Sequence, residues 1–309
     1  TPISGGRIHF SKPVDSTFSF TSHSKELSRI STAYVALTPC IAVKVIDNCT
    51  IGEHFFGVSG DYTVGRLRVH GLSGPFYLSS IGSVSPNNVT NKGPSYAQGY
   101  AIRGGYLGKL TDWLSIGFTY RSKPFKGLIT PHGKTDLPAT YMGGIAIKPF
   151  RDTTIAFDVG RILNKDVKFL GNPIFNSALV FTPANKAQRR GADNGAGLGW
   201  HSRTVYKVGL EQIFADSFSG RIGYNYAKNP QNPKKVGSIG QSFYNPSIMK
   251  HFITTGGTVT IRCDLEVNFT YVHGFKHVIH GPITPALGGG VGAISTSLNE
   301  VMVSISRLW

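Results

Sequence analysis

Five short turns, each containing an aspartate, divide this chain into segments in which apolar and polar residues alternate. The turns occupy residues 45–48, 110–113, 150–153, 214–217 and 261–264. After the third turn, Ile155, Phe157 and Val159 alternate with Ala156 and Asp158, and the segments after residues 112, 216 and 264 follow the same pattern. A period of two is that of a β-strand with one apolar face, and aspartate favours tight turns. The pattern therefore predicts antiparallel β-hairpins.

Long irregular stretches separate these hairpins on the other side. Residues 72–96, 123–137, 163–202, 228–249 and 275–297 are rich in Gly, Pro, Asn and Lys. Short turns at one end and long loops at the other are typical of an outer-membrane β-barrel, whereas a soluble sandwich has shorter loops at both ends. A soluble up-and-down barrel would bury its apolar face inward. Here the other face carries charged residues on several strands, which suits a polar lumen.

The strand count predicts an all-β, antiparallel transmembrane β-barrel. Two strands for each of the five hairpins and one final strand make about eleven, and residues 1–30 supply either one more strand or only a loop. We therefore expect residues 1–309 to form a single outer-membrane barrel domain of 11–12 strands. Bacterial single-chain barrels normally have an even number of strands, so we expect this domain to be incomplete at its amino-terminal end.

The carboxy-terminal segment and the composition agree with a barrel. Val301, Val303 and Ile305 alternate before an aromatic last residue, Trp309, although Arg307 falls on the apolar parity. Outer-membrane barrels often end in this way, with the last aromatic ring at the bilayer interface. Gly (38), Phe (19) and Tyr (13) are abundant and charged residues make up only 16%. No run approaches about 20 apolar residues, which excludes a transmembrane helix, and no secretion signal opens the chain.

The chain carries a net charge of +16. Its basic residues are dispersed, and many fall in predicted loops, such as Lys186, Arg189 and Arg190. Such a charge suits an anionic membrane surface as well as it suits a polyanion. We favour outer-membrane lipid and lipopolysaccharide as partners over nucleic acid, because neither a recognition helix nor an aromatic RNA-binding platform is visible.

Catalytic, metal and cofactor sites have little support in the sequence. Ser202, His201 and Asp193 could supply a hydrolase triad, but adjacent residues of a strand point to opposite faces. The remaining candidates are the three histidines His273, His277 and His280. The cysteines Cys40, Cys49 and Cys263 form no CxxC pair, and residues 288–290 are a run of glycines. The histidine spacing suits a metal only on a helix, and we expect a strand end that runs into a loop there. We expect unpaired cysteines, a flexible loop at the glycines, and neither cofactor nor metal.

Several segments follow one another in a specific order along the chain. They are LPATY at 137–141 with Gly143, GNP at 171–173, GADNGAGLGW at 191–200, TVYKVG at 204–209, RIGYNY at 221–226, KNP at 228–230 and YVHGF at 271–275. In this order they resemble the outer-membrane transporters of long-chain fatty acids and aromatic hydrocarbons, the FadL-like family, and above all its toluene-transporting branch. The resemblance runs from about residue 70 to the end and is weaker from about residue 30.

The resemblance implies passive transport of a hydrophobic small molecule through a barrel in the bacterial outer membrane. Family members have fourteen strands and an amino-terminal plug, and the plug and a kinked early strand control gating. Neither the plug nor the first strands are recognisable here, and the chain looks like the later eleven strands. His201-Ser202 also stands where relatives usually carry a different polar pair.

Four cations are candidates for ligand binding. The alternation places Arg103, Arg121, Lys207 and Arg221 on the lumen face. A ligand with a carboxylate would need one such cation and an apolar channel beside it. The alternative is ordinary lumen lining, with the cations paired to Asp158, Glu211 or Glu266. The chain is thus a passive transporter of hydrophobic molecules or a non-transporting structural or adhesive barrel, with a water-filled porin as a weaker third possibility.

Overall fold

The computed structural model describes most of the chain. The described residues are 2–9, 29–48, 50–70, 93–125, 129–130, 133–134, 136–174, 192–236, 238–239, 247–262, 265–282 and 290–307. The strands are β1 (Pro2–His9), β2 (Arg29–Leu37), β3 (Cys40–Asn48), β4 (Gly52–His70), β5 (Pro94–Lys109), β6 (Leu114–Arg121), β7 (Ile129–Thr130), β8 (Gly133–Lys134), β9 (Thr140–Phe150), β10 (Thr153–Ile162), β11 (Arg203–Ala215), β12 (Phe218–Ala227), β13 (His251–Arg262), β14 (Leu265–Pro282) and β15 (Val291–Arg307). A 3-10 turn (Asn164–Asp166) and a helix of one turn, α1 (Lys168–Gly171), precede β11.

One antiparallel sheet contains all the strands except the small hairpin β7–β8. Its order is β1-β2-β4-β5-β6-β9-β10-β11-β12-β13-β14-β15, with β3 paired to β4 beyond the end of β2. This up-and-down order confirms the predicted all-β antiparallel fold with twelve strand positions. Within the described residues, β1 and β15 form the two ends of the sheet and do not pair with each other. No helix in the described ranges is long and apolar enough to cross a membrane.

The short turns share one edge of the sheet. They connect β3 to β4, β5 to β6, β9 to β10, β11 to β12 and β13 to β14, and alternate strands of a meander return to the same side. In the second turn, the Leu114 amide donates to Thr111 Oγ1 at 3.0 Å, and the Leu110 amide donates to the Leu114 carbonyl at 3.0 Å. The short turns lie at one rim as predicted, but residues 45–48, predicted as the first turn, belong to β3, and the chain turns at residues 50–51 instead. Cys263 and Asp264 of the fifth turn lie outside the described residues.

The stretches predicted to be irregular contain some regular structure. β14 continues to Pro282 and β15 begins at Val291, so the prediction of a loop at 275–297 is wrong at both of its ends. The register shifts between Gly274 and His277. Phe269 and Tyr271 are exposed before this bulge, whereas Val278 is exposed after it. A bulge moves the alternation by one residue, and this shift concealed the strand in the sequence.

The apolar side chains of the strands form one continuous exposed face. Phe118, Phe157, Ile222 and Phe269, on four different strands, are each between 44% and 54% exposed. Of the residues predicted to face lipid, Ile155 and Tyr224 are also exposed, and Ile116 and Val267 are half-buried. A monomeric soluble protein rarely exposes so large an apolar patch, so this band fits a bilayer.

Buried apolar clusters lie on the side of the long connections. One cluster joins Val167, Phe169 and Leu170 to Leu198 and Trp200. Its backbone is tied together because the Leu198 amide donates to the Phe169 carbonyl at 2.9 Å. A second cluster consists of Ile239, Ile248, Ile279 and Ile294. The first cluster packs the connection between β10 and β11 against itself, and the second packs the connection before β13 against β14 and β15.

Candidate ligand site on the lumen face

The polar face of the sheet, which we call the lumen face, carries a groove over β5, β6, β9 and β10. Its floor consists of small residues, Gly117, Gly144, Ala146 and Ala156, and Leu107 and Met142 add apolar walls. The lining also includes residues that alternate with these along the strands: Tyr106, Ile116, Phe118 and Ile145. The cavity has a volume of about 380 Å³. We call this cavity the lumen groove.

Register explains why the groove exists. Gly117 pairs with Gly144, and Gly144 pairs with Asp158 on the next strand. A Cβ at Gly144 would collide with Asp158 Oδ1. Ala146 and Ala156 pair beside them, so apart from Asp158 these neighbouring positions carry little side-chain volume. The small residues that seem unremarkable in the sequence therefore make a ligand-sized space when the strands are aligned.

An ionic cluster of Thr38, Asp61, Arg103 and Arg121 lies on the same face. Arg121 Nε donates to Asp61 Oδ2 at 2.6 Å, Arg103 Nη2 donates to the same oxygen at 3.3 Å, and Thr38 Oγ1 donates to Asp61 Oδ1 at 3.0 Å. The Asp61 side chain is fully buried, whereas 45% of Arg103 is exposed. A buried carboxylate is costly unless it is paired and hydrogen-bonded, and these three donors meet that need.

The Asp61 cluster carries a net positive charge. It contains two guanidinium groups and one carboxylate, so one positive charge remains. Arg121 Nη2 is buried and has no hydrogen-bond partner among the described residues. Thr119 lines the lumen groove and Arg121 follows two residues later on the same face, a distance of about 6–7 Å along a strand. The lumen groove therefore ends beside Arg121, whose Nη2 group is still able to donate a hydrogen bond.

The cluster also marks an interruption in the sheet. β2 ends with Leu37 opposite Tyr62, and β3 begins with Cys40 opposite Ser59, so both strands pair with β4 in one register. Between them, Pro39 can accept a hydrogen bond from the Gly60 amide at 3.3 Å but has no N–H to donate in return. One strand position of the sheet is thus built from two strands, β2 and β3, with a break at residues 38–39.

The other two predicted cations lie elsewhere on the lumen face. Arg221 Nε donates to Glu211 Oε1 at 2.8 Å and Nη1 donates to Thr258 Oγ1 at 2.8 Å, a pairing that the lining alternative expects for this residue. Lys207 lies directly opposite Asp158 of the groove, and it forms no ion pair with any residue that the structure describes. The structure therefore brings Arg103 and Arg121 together and keeps Lys207 and Arg221 apart from them.

Sequence reasoning missed Asp61 and Thr38. Asp61 falls on the polar parity of β4, opposite Ala101 and two positions from Ser59 opposite Arg103. That parity was an available signal for a lumen-facing carboxylate. No signal in the sequence indicated the pairing of Asp61 with Arg121, because β5 separates β4 from β6 and the two residues are 60 positions apart.

The residues considered for catalysis and metal binding do not converge. Ser202 Oγ accepts a hydrogen bond from the Lys165 amide, whereas Asp193 Oδ1 lies 3.8 Å from Lys168 Nζ. The three histidines lie within β14, so the predicted loop there is wrong, and the bulge separates His273 from the other two. In the described ranges no group of three His, Cys, Asp or Glu side chains could hold a metal ion. Cys40 is free and exposed, and Cys49 and Cys263 lie outside the described residues.

Comparison with known proteins identifies the fold. No protein-family model matches the chain, and no curated protein matches it. The Pseudomonas putida toluene transporter TodX superimposes with a TM-score of 0.61 at 19% identity, over 98% of this chain and 77% of that one. The Ralstonia pickettii toluene transporter TbuX gives 0.56 at 15% over 99% and 77%, and a Pseudomonas aeruginosa FadL homologue gives 0.60 at 15% over 99% and 72%. The chain has the FadL-like barrel fold.

The FadL-like fold confirms the resemblance seen in the ordered sequence segments. Almost all of this chain superimposes on each of the three structures, while roughly a quarter of each of those chains has no counterpart here. Two of the three are transporters of toluene by name, and none is an enzyme by name.

Proposed function

We propose that this protein is a passive outer-membrane channel for hydrophobic small molecules and that the lumen groove is a binding position on their path. The groove carries the proposal: an apolar cavity of about 380 Å³ opens on the polar face of a sheet whose other face is an exposed apolar band. The FadL-like fold, seen in toluene transporters, supports the same function.

The size and lining of the groove favour a compact apolar ligand. Ligand pockets in proteins span about 300–1,000 Å³, so the groove lies near the small end of that range. Leu107 and Met142 provide apolar contact, and small residues on the floor let a flat ring approach the backbone. A monoaromatic hydrocarbon therefore fits better than a bulky molecule, and its release from water supplies the binding free energy.

A long-chain fatty acid is the second candidate ligand, because the groove ends beside the Asp61 cluster. Arg103 is partly exposed and Arg121 Nη2 has no partner in the described part of the chain, so either guanidinium could donate to a carboxylate. Lys207 and Arg221 are further candidates for the acidic head group. Of these two, Lys207 is better placed, because Glu211 already neutralises Arg221.

The interruption between β2 and β3 supports a role for this part of the sheet in gating. A barrel wall is held by its backbone ladder, and one ladder hydrogen bond cannot form where Pro39 faces Gly60. Opening the wall at this point would expose fewer unpaired backbone groups than opening it anywhere in a continuous strand pair. The resemblance to the family implies gating at a plug and at a kinked early strand.

A binding assay tests the proposed function. The refolded protein in detergent is titrated with toluene and with a long-chain fatty acid, and binding is followed by calorimetry. Ala156→Phe, which fills the groove floor, should abolish binding of the favoured ligand, whereas Phe157→Leu on the exposed face should leave it unchanged. If neither ligand class binds the wild-type protein, the structural or adhesive barrel is the better description.

A further inference from the structure

A second cavity lies at the rim of long connections, on the opposite face of the sheet from the lumen groove. Arg161 at the end of β10, Thr204 of β11 and Lys228 after β12 line it, together with His201 and Asn229. Its volume is about 390 Å³. We call this cavity the rim pocket.

Strand parity places the rim pocket on the apolar side of the wall. Ile155, Phe157 and Val159 are exposed on that side, and Arg161 continues the same alternation. Thr204 pairs with Arg161 in register, and the Lys228 amide donates to the Thr204 carbonyl at 3.2 Å. The pocket is therefore the polar end of the apolar band, and it is separate from the lumen.

The positive charge of the rim pocket is not neutralised. Arg161 Nη1 donates to Thr204 Oγ1 at 3.0 Å, and this hydroxyl is the only partner of the guanidinium among the described residues. Lys228 forms no ion pair with any of them, and none of the described residues that line the cavity is acidic. Two cations with free donors in one polar cavity form a receptor for an anion, and a guanidinium matches phosphate oxygens in pairs.

The surface beside the pocket is aromatic. Val159 pairs with Tyr206, and Tyr206 pairs with Tyr226. Val159 and Tyr206 lie two residues from Arg161 and Thr204 along their strands, on the same face, and are therefore about 7 Å from them. The rings of Tyr206 and Tyr226 stack with their centroids 6.4 Å apart. Tyrosine rings at this position mark the boundary between the hydrocarbon core and the head groups of a bilayer. The cations of the rim pocket thus lie at the height of lipid head groups.

We propose that the rim pocket binds the phosphate of a lipid from the surrounding membrane leaflet. Arg161 and Lys228 hold the phosphate oxygens, and the acyl chains lie against Val159, Tyr206 and the rest of the apolar band. The proposal rests on the chain spanning a membrane and is independent of what passes through the lumen. It also gives the excess positive charge of the chain a specific role at one place on the outer surface.

Native mass spectrometry of the full chain in a non-ionic detergent tests this proposal. The probes are phosphatidic acid, which exposes a phosphate monoester, and phosphatidylcholine with the same acyl chains. The wild-type protein should bind phosphatidic acid in preference. The double variant Arg161→Ala/Lys228→Ala should bind it at least about ten-fold more weakly, the loss expected for a charged hydrogen bond. The matched control is Lys148→Ala/Arg151→Ala, which removes two exposed cations at the opposite rim and should bind as the wild type does.

Two further measurements make the result decisive. Inorganic phosphate should compete only weakly, and competition as effective as that of phosphatidic acid would show a site for soluble phosphate and overturn the lipid assignment. Equal binding of the two lipids by the wild type would overturn it as well, even if the double variant did not fold. Toluene binding in the lumen groove should be unchanged in Arg161→Ala/Lys228→Ala, so failure of the rim pocket and failure of the proposed transport function remain distinguishable.

Discussion

Asp61 shows how single residues specify this barrel. Its carboxylate is fully buried on the lumen face, and it accepts hydrogen bonds from Thr38, Arg103 and Arg121, which come from three different strands or strand ends. A buried charge of this kind is tolerated only while its partners remain in place. The cluster therefore fixes the positions of β4, β5 and β6 relative to one another next to the broken strand.

Removing Arg121 should destabilise the protein strongly. Arg121→Ala leaves Asp61 buried with the longer contact to Arg103 and the hydrogen bond from Thr38, and breaking a buried ion pair in this way costs about 3–5 kcal/mol. The free energy of unfolding by urea in detergent measures the loss. Arg221→Ala is the control, because its ion pair with Glu211 is partly exposed and such pairs contribute about 1 kcal/mol or less. Equal losses for the two variants would contradict the role given to burial.

The cations of the lumen should distinguish the two candidate ligands. If the ligand is a fatty acid, Arg103→Ala or Lys207→Ala should weaken binding by about 1.5–3 kcal/mol, the range for a hydrogen bond to a charged group. Arg221 is a further candidate for binding the head group. Arg221→Ala should have a smaller effect, because the Arg221 guanidinium already donates to Glu211. If the ligand is a neutral hydrocarbon, all three variants should bind as the wild type does. Calorimetric titration with each ligand provides the measurement.

At the scale of the strand, parity decides which substitutions the membrane tolerates. Phe157 lies on the exposed apolar face of β10 and Ala156 lies on the floor of the lumen groove. An arginine on the lipid face costs about 2–4 kcal/mol at the bilayer midplane. Phe157→Arg should therefore impair insertion into vesicles, and Ala156→Arg should insert nearly as well as the wild type while it blocks the groove. Equal insertion yields for the two would show that the parity is wrong.

The interruption between β2 and β3 makes a second prediction at this scale. Pro39→Ala supplies the N–H that the ladder lacks opposite Gly60, and the added hydrogen bond should stabilise the wall by about 0.5–1.5 kcal/mol. If the interruption opens during transport, uptake of toluene into protein-containing vesicles should slow while binding in detergent stays the same. Pro149→Ala, at the end of β9, is the matched control and should change neither. Unchanged uptake in Pro39→Ala would remove the interruption from the gating mechanism.

For the whole molecule, the proposed function predicts passive flux. Vesicles that contain the full chain should accumulate an alkylbenzene only down its gradient and faster than protein-free vesicles. Added nucleotide or a metal chelator should have no effect on that rate. The rate in vesicles with Ala156→Phe should fall to the protein-free level, because the groove would be filled. Flux that needs nucleotide, or flux equal in the presence and absence of protein, would contradict a passive channel.

Local pattern was enough to predict the strands and the faces they present. The antiparallel meander, the apolar parity at Phe118, Phe157 and Ile222 and the turns after β5, β9 and β11 all follow from residues next to one another in the chain. They were predictable because a bilayer demands paired strands with one apolar face, and that demand repeats every two residues. The pattern became unreliable where a bulge shifted it, near His277 in β14.

Tertiary structure determines which residues come together at the candidate ligand site. Thr38, Arg103 and Arg121 are separated from Asp61 by 23, 42 and 60 positions, and only the register of the sheet brings them into contact. The lumen groove likewise exists because the small residues of β6, β9 and β10 fall at one height. Sequence alone determined that cations would face the lumen. Which of them stand free beside an apolar cavity depended on long-range pairing, because charge pairing and empty space are properties of aligned neighbours and not of single strands.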